Sequence, residues 1–155
     1  MFSNILIAVD GSEPSNKALE YGMTLAEKFN GRITLIHVYS SVVPMTASMD
    51  TLTTPPTMSP HSSPAIAAKI AEETKQRGQH ILDEAEQTVK KRGITVEKVL
   101  TEGDAVREIV TMVQDKKFDL VIVGHRGWGR LREIVLGGVS EGVSHKSPCP
   151  VLIVK

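Results

Sequence analysis

Apolar side chains concentrate in five short runs that are rich in β-branched residues and separated by more polar stretches. Four of these runs are almost unbroken in apolar character, which is typical of strands covered on both faces, as in a parallel sheet. The predicted strands are Ile5 to Val9, Ile33 to Val38, Thr95 to Leu100, Leu120 to Val123 and Val151 to Val154.

The stretches between these strands carry apolar residues at helical spacing, with capping signals at their ends. Serine and aspartate cap helix starts, and asparagine and glycine accept the left-handed backbone at helix ends. The predicted helices are one that follows Ser12 or Ser15 and ends at Asn30-Gly31, one from about Ala65 to Arg92 ahead of Gly93, one from Asp104 to Lys116-Lys117, and one from roughly Val139 to Lys146.

Strands and helices therefore alternate from one end of the chain to the other. Because crossover connections between parallel strands are right-handed, this order predicts an α/β, doubly wound fold: a five-stranded parallel sheet with helices on both faces. The 155 residues fit one core, so residues 1–155 are predicted to form a single domain.

The stretch from Ser40 to Ser63 departs from this pattern of short connections. It is rich in Ser, Thr, Pro and Met, and Asp50 is its only Asp, Glu, Lys or Arg residue. A connection of this length is unusual inside a compact domain. Its composition favours a flexible surface insertion. Its departure from the carboxyl end of the second strand, where such sheets bind ligands, favours a lid or partner-docking loop instead.

The charges balance, with 18 Lys plus Arg and 18 Asp plus Glu. The chain is therefore predicted to bind neither nucleic acid nor membrane, and any anion site must be local. The amino terminus has no signal-like apolar core and no apolar run is long enough to span a membrane, which predicts a cytoplasmic protein. The single cysteine, Cys149, excludes an internal disulfide. The histidines lack zinc-like spacing, so no metal site built by the protein alone is expected.

Two groups of polar and glycine residues are candidates for ligand binding, and both directly follow predicted strands. Asp10-Gly11-Ser12 comes directly after the first strand. A glycine-rich stretch from Gly124 to Arg130 comes directly after the fourth, and Gly137-Gly138-Val139-Ser140 then leads into the last helix. Doubly wound sheets bind ligands where neighbouring strands send their crossovers to opposite faces. If the first and fourth strands are those neighbours, both groups meet at one cleft.

These residue types suit a chain of phosphates. Glycine lets the backbone approach an anion closely, so Gly124 and Gly127 can turn successive N–H groups toward phosphate oxygens. Gly137-Gly138 opens a helix whose first N–H groups attract anions, and Ser140 adds a hydroxyl donor. Arg126 or Arg130 can supply positive charge.

Each of these residues also has a structural interpretation. Glycine between a strand and a helix is common in scaffolds, and Asp10 can cap the turn that follows it. Neither common nucleotide fingerprint is present, because no Gly-Lys-Ser/Thr occurs and the first strand is followed only by Asp-Gly-Ser. By themselves, the residues indicate no more than an anion-binding α/β domain.

Gly127 and Gly137 are separated by nine residues, and Gly124 stands three residues before Gly127. This spacing resembles G-x2-G-x9-G-[ST], which marks the ATP-binding branch of the universal stress protein family. The opening strand with its Asp10-Gly11-Ser12 and the closing Cys149 to Val154 also resemble that family. The resemblance covers nearly the whole chain apart from the Ser- and Pro-rich stretch, a region that varies in the family.

The resemblance implies a strand order of 3-2-1-4-5 and ATP bound between strands one and four. The residues that it carries over are Ala8, Val9 and Asp10 beside the base and ribose, Val38 against the adenine, Val123 and Gly124 beneath the ribose and phosphates, and Gly127, Gly137, Val139 and Ser140 around the triphosphate. Gly138 replaces the motif's final Ser or Thr, which removes a hydroxyl and keeps the amide. One lost hydrogen bond to a charged group weakens binding by about 1.5–3 kcal/mol. Mg²⁺ can enter with ATP, mostly through phosphate oxygens.

The resemblance also implies a homodimer formed through the last strand. Val151 to Val154 is an apolar run at what would be a sheet edge, and an unpaired apolar edge invites a partner strand.

Three functions are compatible with these observations. The preferred hypothesis is an ATP-binding stress-response protein that acts as a nucleotide-dependent binding or signalling module. The first alternative is a slow ATPase or phosphotransferase in which Asp10 orients a water molecule, although no Ser-His-Asp order, carboxylate pair or Walker lysine is apparent. The second alternative is a nucleotide-free dimeric interaction protein.

Overall fold

The computed structural model describes residues 2–40, 64–125 and 137–155. Within these ranges the elements follow in the order β1 (Asn4–Ala8), α1 (Glu13–Phe29), β2 (Arg32–Tyr39), α2 (Pro64–Lys91), β3 (Val96–Glu102), α3 (Ala105–Lys116), β4 (Leu120–Gly124), α4 (Gly138–Lys146) and β5 (Val151–Val154). The predicted strands and helices are all present with closely similar bounds. The insertion predicted at about 40–63 lies outside the described residues except for Ser40.

The strands form one sheet in the order β3-β2-β1-β4-β5, and every described pairing is parallel. This confirms the predicted α/β fold and strand order. Strand β1 is central, with Ile7 paired to Leu35 of β2 on one side and to Ile122 of β4 on the other.

Two apolar clusters cover the two faces of the sheet. On one face, Ile7 packs in a buried cluster with Met23 of α1 and Leu82 of α2. On the other face, Leu6 packs with residues of α3 and α4, among them Ile109 and Val143. Successive side chains of a strand point to opposite faces, so the apolar run of β1 supplies both clusters.

The helix ends follow the capping signals in the sequence. Of the two candidate serines, Ser12 is the N-cap of α1, and its hydroxyl accepts from the Ser15 N–H at 3.4 Å. Asn30 ends the same helix in the left-handed conformation with φ 49°. Asp104 caps α3 by accepting from the Arg107 N–H at 2.9 Å. These caps satisfy amides that the helices leave unpaired.

Charged side chains tie the outer strand β3 to α2. The Lys98 ammonium lies 2.5 Å from Asp83 Oδ1 and 2.9 Å from Glu86 Oε2. Hydrogen bonds from Lys98 hold the pKa of Asp83 and the pKa of Glu86 below their ordinary values.

None of the helices in the described ranges is long and apolar enough to cross a bilayer.

Candidate functional site

A cleft of about 220 Å³ opens where β1, β2 and β4 end, on the face that carries α3 and α4. The chain leaves β1 for α1 on one face of the sheet and reaches β5 from β4 through α4 on the other face. This is the switch point at which doubly wound sheets bind ligands. The lining residues are Ala8, Val9, Asp10, Ser15, Ile36, His37, Val38, Ala105, Ile109, Val123, Gly124 and Val139.

The residues chosen from the sequence divide into three groups in the structure. Those that line the cleft are Ala8, Val9, Asp10, Val38, Val123, Gly124 and Val139. Those that form the start of α4 beside Val139, without lining the cleft, are Gly137, Gly138 and Ser140. Those that lie outside the described residues are Arg126, Arg130 and Gly127. The two predicted groups therefore meet at one cleft, and the binding roles of their residues stay predictions.

Hydrogen bonds hold the turn after β1 in one conformation. Asp10 Oδ1 accepts from the Ser12 N–H at 2.9 Å and from the Ser12 hydroxyl at 2.6 Å. The Asp10 N–H donates to Ser15 Oγ at 3.0 Å, and Gly11 takes a positive φ of 78°. Asp10 thus stabilises the turn and holds Ser12, the N-cap residue of α1, which agrees with its predicted structural role. Asp10 also borders the cleft.

Gly124 brings the end of β4 close to the start of α1. A Cβ atom at this position would lie 2.8 Å from the Pro14 carbonyl carbon and 2.9 Å from the Ser15 nitrogen. Both of these are backbone atoms, which cannot move aside as the tip of a flexible side chain can. The approach of β4 to the Asp10 turn therefore requires glycine.

Backbone hydrogen bonds join the end of β4 to the start of α4 and to the end of β5. The Gly137 N–H donates to the His125 carbonyl at 2.8 Å, and the His125 N–H donates to the Val154 carbonyl at 2.7 Å. Ser140 is 2% exposed, and its hydroxyl lies 2.9 Å from the carbonyls of both His125 and Gly137. The hydroxyl proton of Ser140, predicted to face a phosphate, is thus engaged by backbone acceptors.

The start of α4 carries the first-turn amides of a helix beside the cleft. Gly137 is the N-cap residue and makes no side-chain capping hydrogen bond. The N–H groups of Gly138, Val139 and Ser140 belong to the first turn, which has no intrahelical acceptors. Together with the positive end of the helix dipole, these amides favour an anion next to the cleft.

Comparison with known proteins places the chain in a family. The model of the universal stress protein family matches residues 1–155. The chain belongs to the universal stress protein family. Its relative YxiE, a universal stress protein of Bacillus subtilis, is 34% identical over 155 residues and is covered completely, as is this chain.

Solved structures of the family share the fold described above. Universal stress protein UspA from Lactobacillus plantarum superposes with a TM-score of 0.80 at 17% identity, over 99% of this chain and 98% of that one. A universal stress protein family protein from Arabidopsis thaliana with AMP bound superposes with a TM-score of 0.66 at 21% identity, over 97% and 90% of the two chains. At these identities, the superpositions establish the fold alone.

His37 and Ser15 line the cleft of this universal stress protein but were not among the predicted site residues. His37 lies in β2 with its Nδ1 atom 2.7 Å from the Val9 carbonyl oxygen. The signal in the sequence was a polar residue between Ile36 and Val38, near the carboxyl end of an otherwise apolar run. A single histidine in such a run has no zinc-like spacing, so the sequence pattern does not predict a role for it.

A larger groove of about 670 Å³ lies between α1 and α2 on the opposite face. Its rim carries charges of both signs, including Glu13, Lys17, Glu84 and Lys91. Lys17 is already paired with Glu13 at 3.0 Å. The smaller cleft is the stronger candidate because it lies at the switch point and brings the Asp10 turn together with the start of a helix.

Proposed function

We propose that this universal stress protein binds ATP in the cleft at the ends of β1 and β4 and acts as a nucleotide-dependent binding or signalling module. One observation carries the proposal: the switch-point cleft has the Asp10 turn on one side and the first-turn amides of α4 on the other. A ligand with a polar sugar and a chain of phosphates can use both sides.

The base and the ribose fit the side of the cleft formed by β1 and β2. Val9, Val38 and Val123 supply apolar surface against which a flat base can pack. The Asp10 carboxylate, beside that surface, can accept hydrogen bonds from ribose hydroxyls. This arrangement favours a nucleotide over a simple anion such as inorganic phosphate.

The phosphates fit the side formed by the start of α4. The amides of Gly138, Val139 and Ser140 donate there, and the helix dipole adds to their attraction for negative charge. In this proposal Gly127 and Arg126 complete the phosphate site, and Mg²⁺ accompanies ATP through the phosphate oxygens. The AMP-bound Arabidopsis relative supports adenine nucleotides as the ligand class.

Purified protein tests the proposal directly. The protein is heat-denatured, any released nucleotide is identified by chromatography, and ATP and AMP affinities are measured by calorimetry. We expect released ATP, or calorimetric binding of ATP that is tighter than binding of AMP. No binding up to millimolar nucleotide would contradict the proposal and favour a nucleotide-free interaction protein. Turnover above about 1 per second in the same sample would instead indicate an ordinary enzyme.

We also propose that two copies pair through β5. This strand is one edge of the sheet, and Val151, Leu152 and Ile153 are only partly buried. Tyr21 and Leu25 of α1 extend the apolar surface beside Leu152. Sedimentation equilibrium should give twice the chain mass of 16.9 kDa, and Leu152→Lys should reduce it to the chain mass. A wild-type protein that sediments as a monomer at micromolar concentration would exclude this interface.

A further inference from the structure

The hydrogen-bond ladder between β1 and β2 ends in an unusual way at the cleft. The Val9 N–H donates to the Ile36 carbonyl at 2.9 Å, which continues the ladder by one bond. The Val9 carbonyl lies 2.7 Å from His37 Nδ1. Because a carbonyl oxygen can only accept, Nδ1 must carry the hydrogen and donate it. A side chain therefore takes the next position in the ladder.

This substitution leaves a backbone donor of β2 available at the cleft. In a parallel ladder, the residue that follows Ile36 and His37 would donate its N–H to the Val9 carbonyl. That residue is Val38, which lines the cleft. Among the residues that the structure describes, no backbone hydrogen bond joins Val38 to the end of β1. The His37 side chain therefore holds the Val9 carbonyl in place of the Val38 amide.

Helix α2 provides the space for the imidazole. A Cβ atom at Gly78 would lie 2.6 Å from His37 Cδ2 and 3.0 Å from His37 Nε2. Gly78 is buried in the part of α2 that packs on the sheet. The ring is thus held between Val9 on one side and the Gly78 backbone on the other, which fixes the direction of its Nδ1–H group.

We propose that His37 is a positioning residue of the nucleotide site, an inference that rests on the proposed function. By holding the Val9 carbonyl, it orients the peptide that leads into Asp10 and leaves the Val38 amide to donate to a ring nitrogen of the base. His37 acts through these two backbone groups at the base and ribose end. Its effect should therefore be the same for adenosine and for ATP.

Two matched variants separate the hydrogen bond from the bulk of the side chain. Asparagine can place an N–H donor close to the position of Nδ1, whereas leucine has nearly the same size and no donor. We expect His37→Leu to weaken the binding of both adenosine and ATP by about tenfold, the effect of one hydrogen bond. The affinities of His37→Asn for both ligands should stay within about threefold of wild type. Affinities are measured by calorimetry, with circular dichroism to confirm folding.

Each other outcome of this experiment has a definite meaning. Wild-type affinity in His37→Leu, an equal loss in His37→Asn, or a loss confined to ATP would overturn the role of His37 while leaving nucleotide binding intact. An absence of binding in the wild-type protein would instead refute the proposed function, and it would be seen before any variant was made.

A measurement on the wild-type protein covers the case in which the leucine variant does not fold. Amide hydrogen exchange is followed by NMR at Val38, with Ile36, paired to Ala8 inside the ladder, as the control. We expect the Val38 amide to exchange much faster than the Ile36 amide in the nucleotide-free protein, and to become protected when adenosine is added. Protection of Val38 without ligand would overturn the inference.

Discussion

The ends of β1 and β4 border the same cleft but are held by different kinds of groups. After β1, side chains make the contacts: Asp10 accepts from Ser12, Ser15 accepts from Asp10, and His37 holds the Val9 carbonyl. After β4, backbone groups dominate, with His125 bonded to Gly137 and to the last residue of β5. A single side-chain substitution can therefore remove a contact at the end of β1. At the end of β4, the Ser140 hydroxyl makes the corresponding side-chain contact, to the His125 carbonyl, and the backbone contacts should respond only to a change in space or backbone conformation.

Substitution of Gly124 should disturb the ends of β1 and β4 together, and it should have the largest effect on stability and on nucleotide binding. A valine Cβ at this position would lie 2.8 Å from the Pro14 carbonyl carbon. We expect Gly124→Val to lower the free energy of unfolding by about 1–3 kcal/mol and to abolish ATP binding. Gly138→Ala is the stability control, because a Cβ atom there meets no atom of the described residues within 4 Å. Chemical denaturation and calorimetry measure the two effects, and equal stabilities of the two variants would contradict the close approach.

Substitution of Asp10 separates turn stability from ligand binding at the end of β1. Asp10→Asn keeps an oxygen that can accept from Ser12 but loses the charge, so stability should change little while nucleotide affinity falls by about 1.5–3 kcal/mol. Asp10→Ala also removes the acceptor and should cost about 1 kcal/mol in stability. If Asp10→Asn binds nucleotide as well as the wild type does, Asp10 serves the turn alone.

Substitution of Gly138, at the start of α4, should increase the affinity for ATP and so test the phosphate side of the cleft. Gly138 stands where the family motif has Ser or Thr, and a Cβ atom there contacts none of the residues in the described ranges. We expect Gly138→Ser to strengthen ATP binding by about 1.5 kcal/mol by restoring a hydroxyl donor, and to leave adenosine binding unchanged. Calorimetry with both ligands measures this difference. A parallel change for adenosine would place Gly138 away from the phosphates.

The smallest effect should come from the ion pairs that tie β3 to α2, far from both strand ends. Since Lys98 lowers the pKa of the Asp83 and Glu86 carboxyl groups, their contribution to stability is present above the ordinary carboxyl pKa and is lost as the pH falls through the folded-state values. Lys98→Met should therefore lower the unfolding midpoint slightly at pH 7, and this difference should shrink as the pH falls below the ordinary carboxyl pKa and the two carboxylates become protonated.

The Lys98→Met effect should also shrink in high salt, because Lys98, Asp83 and Glu86 are all partly exposed to solvent. Nucleotide affinity should be unaffected, which makes this variant a control for stability changes outside the cleft. A midpoint difference that did not shrink as the pH falls would contradict an electrostatic origin.

The fold was predictable because its signals are local. The apolar runs, the Ser12 and Asp104 caps and the Asn30 end each depend on neighbouring residues, and parallel order follows from strict alternation of strands and helices. The cleft was predictable for a related reason, since carboxyl ends of parallel strands share one edge. Asp10 and Gly124 could thus be placed together from the sequence.

The hydrogen bonds that shape the cleft were not predictable in the same way. The His37 to Val9 bond joins residues 28 apart, and the Ser140 to His125 bond joins residues 15 apart. Whether a buried polar side chain meets a ligand or a backbone carbonyl depends on distances of a few tenths of an ångström, which spacing along a chain does not determine. For this reason Ser140 was assigned to phosphate alone, and His37 was overlooked.

The two borders of the sheet have opposite chemistry. Glu97 and Lys98 expose charge along β3, whereas β5 presents partly buried valine, leucine and isoleucine side chains. Charge on an outer strand discourages further strand addition. If two chains join at β5, the resulting ten-stranded sheet has a charged strand at each outer border. Growth would then stop at the pair, and the same apolar strand that favours association would not lead to fibres.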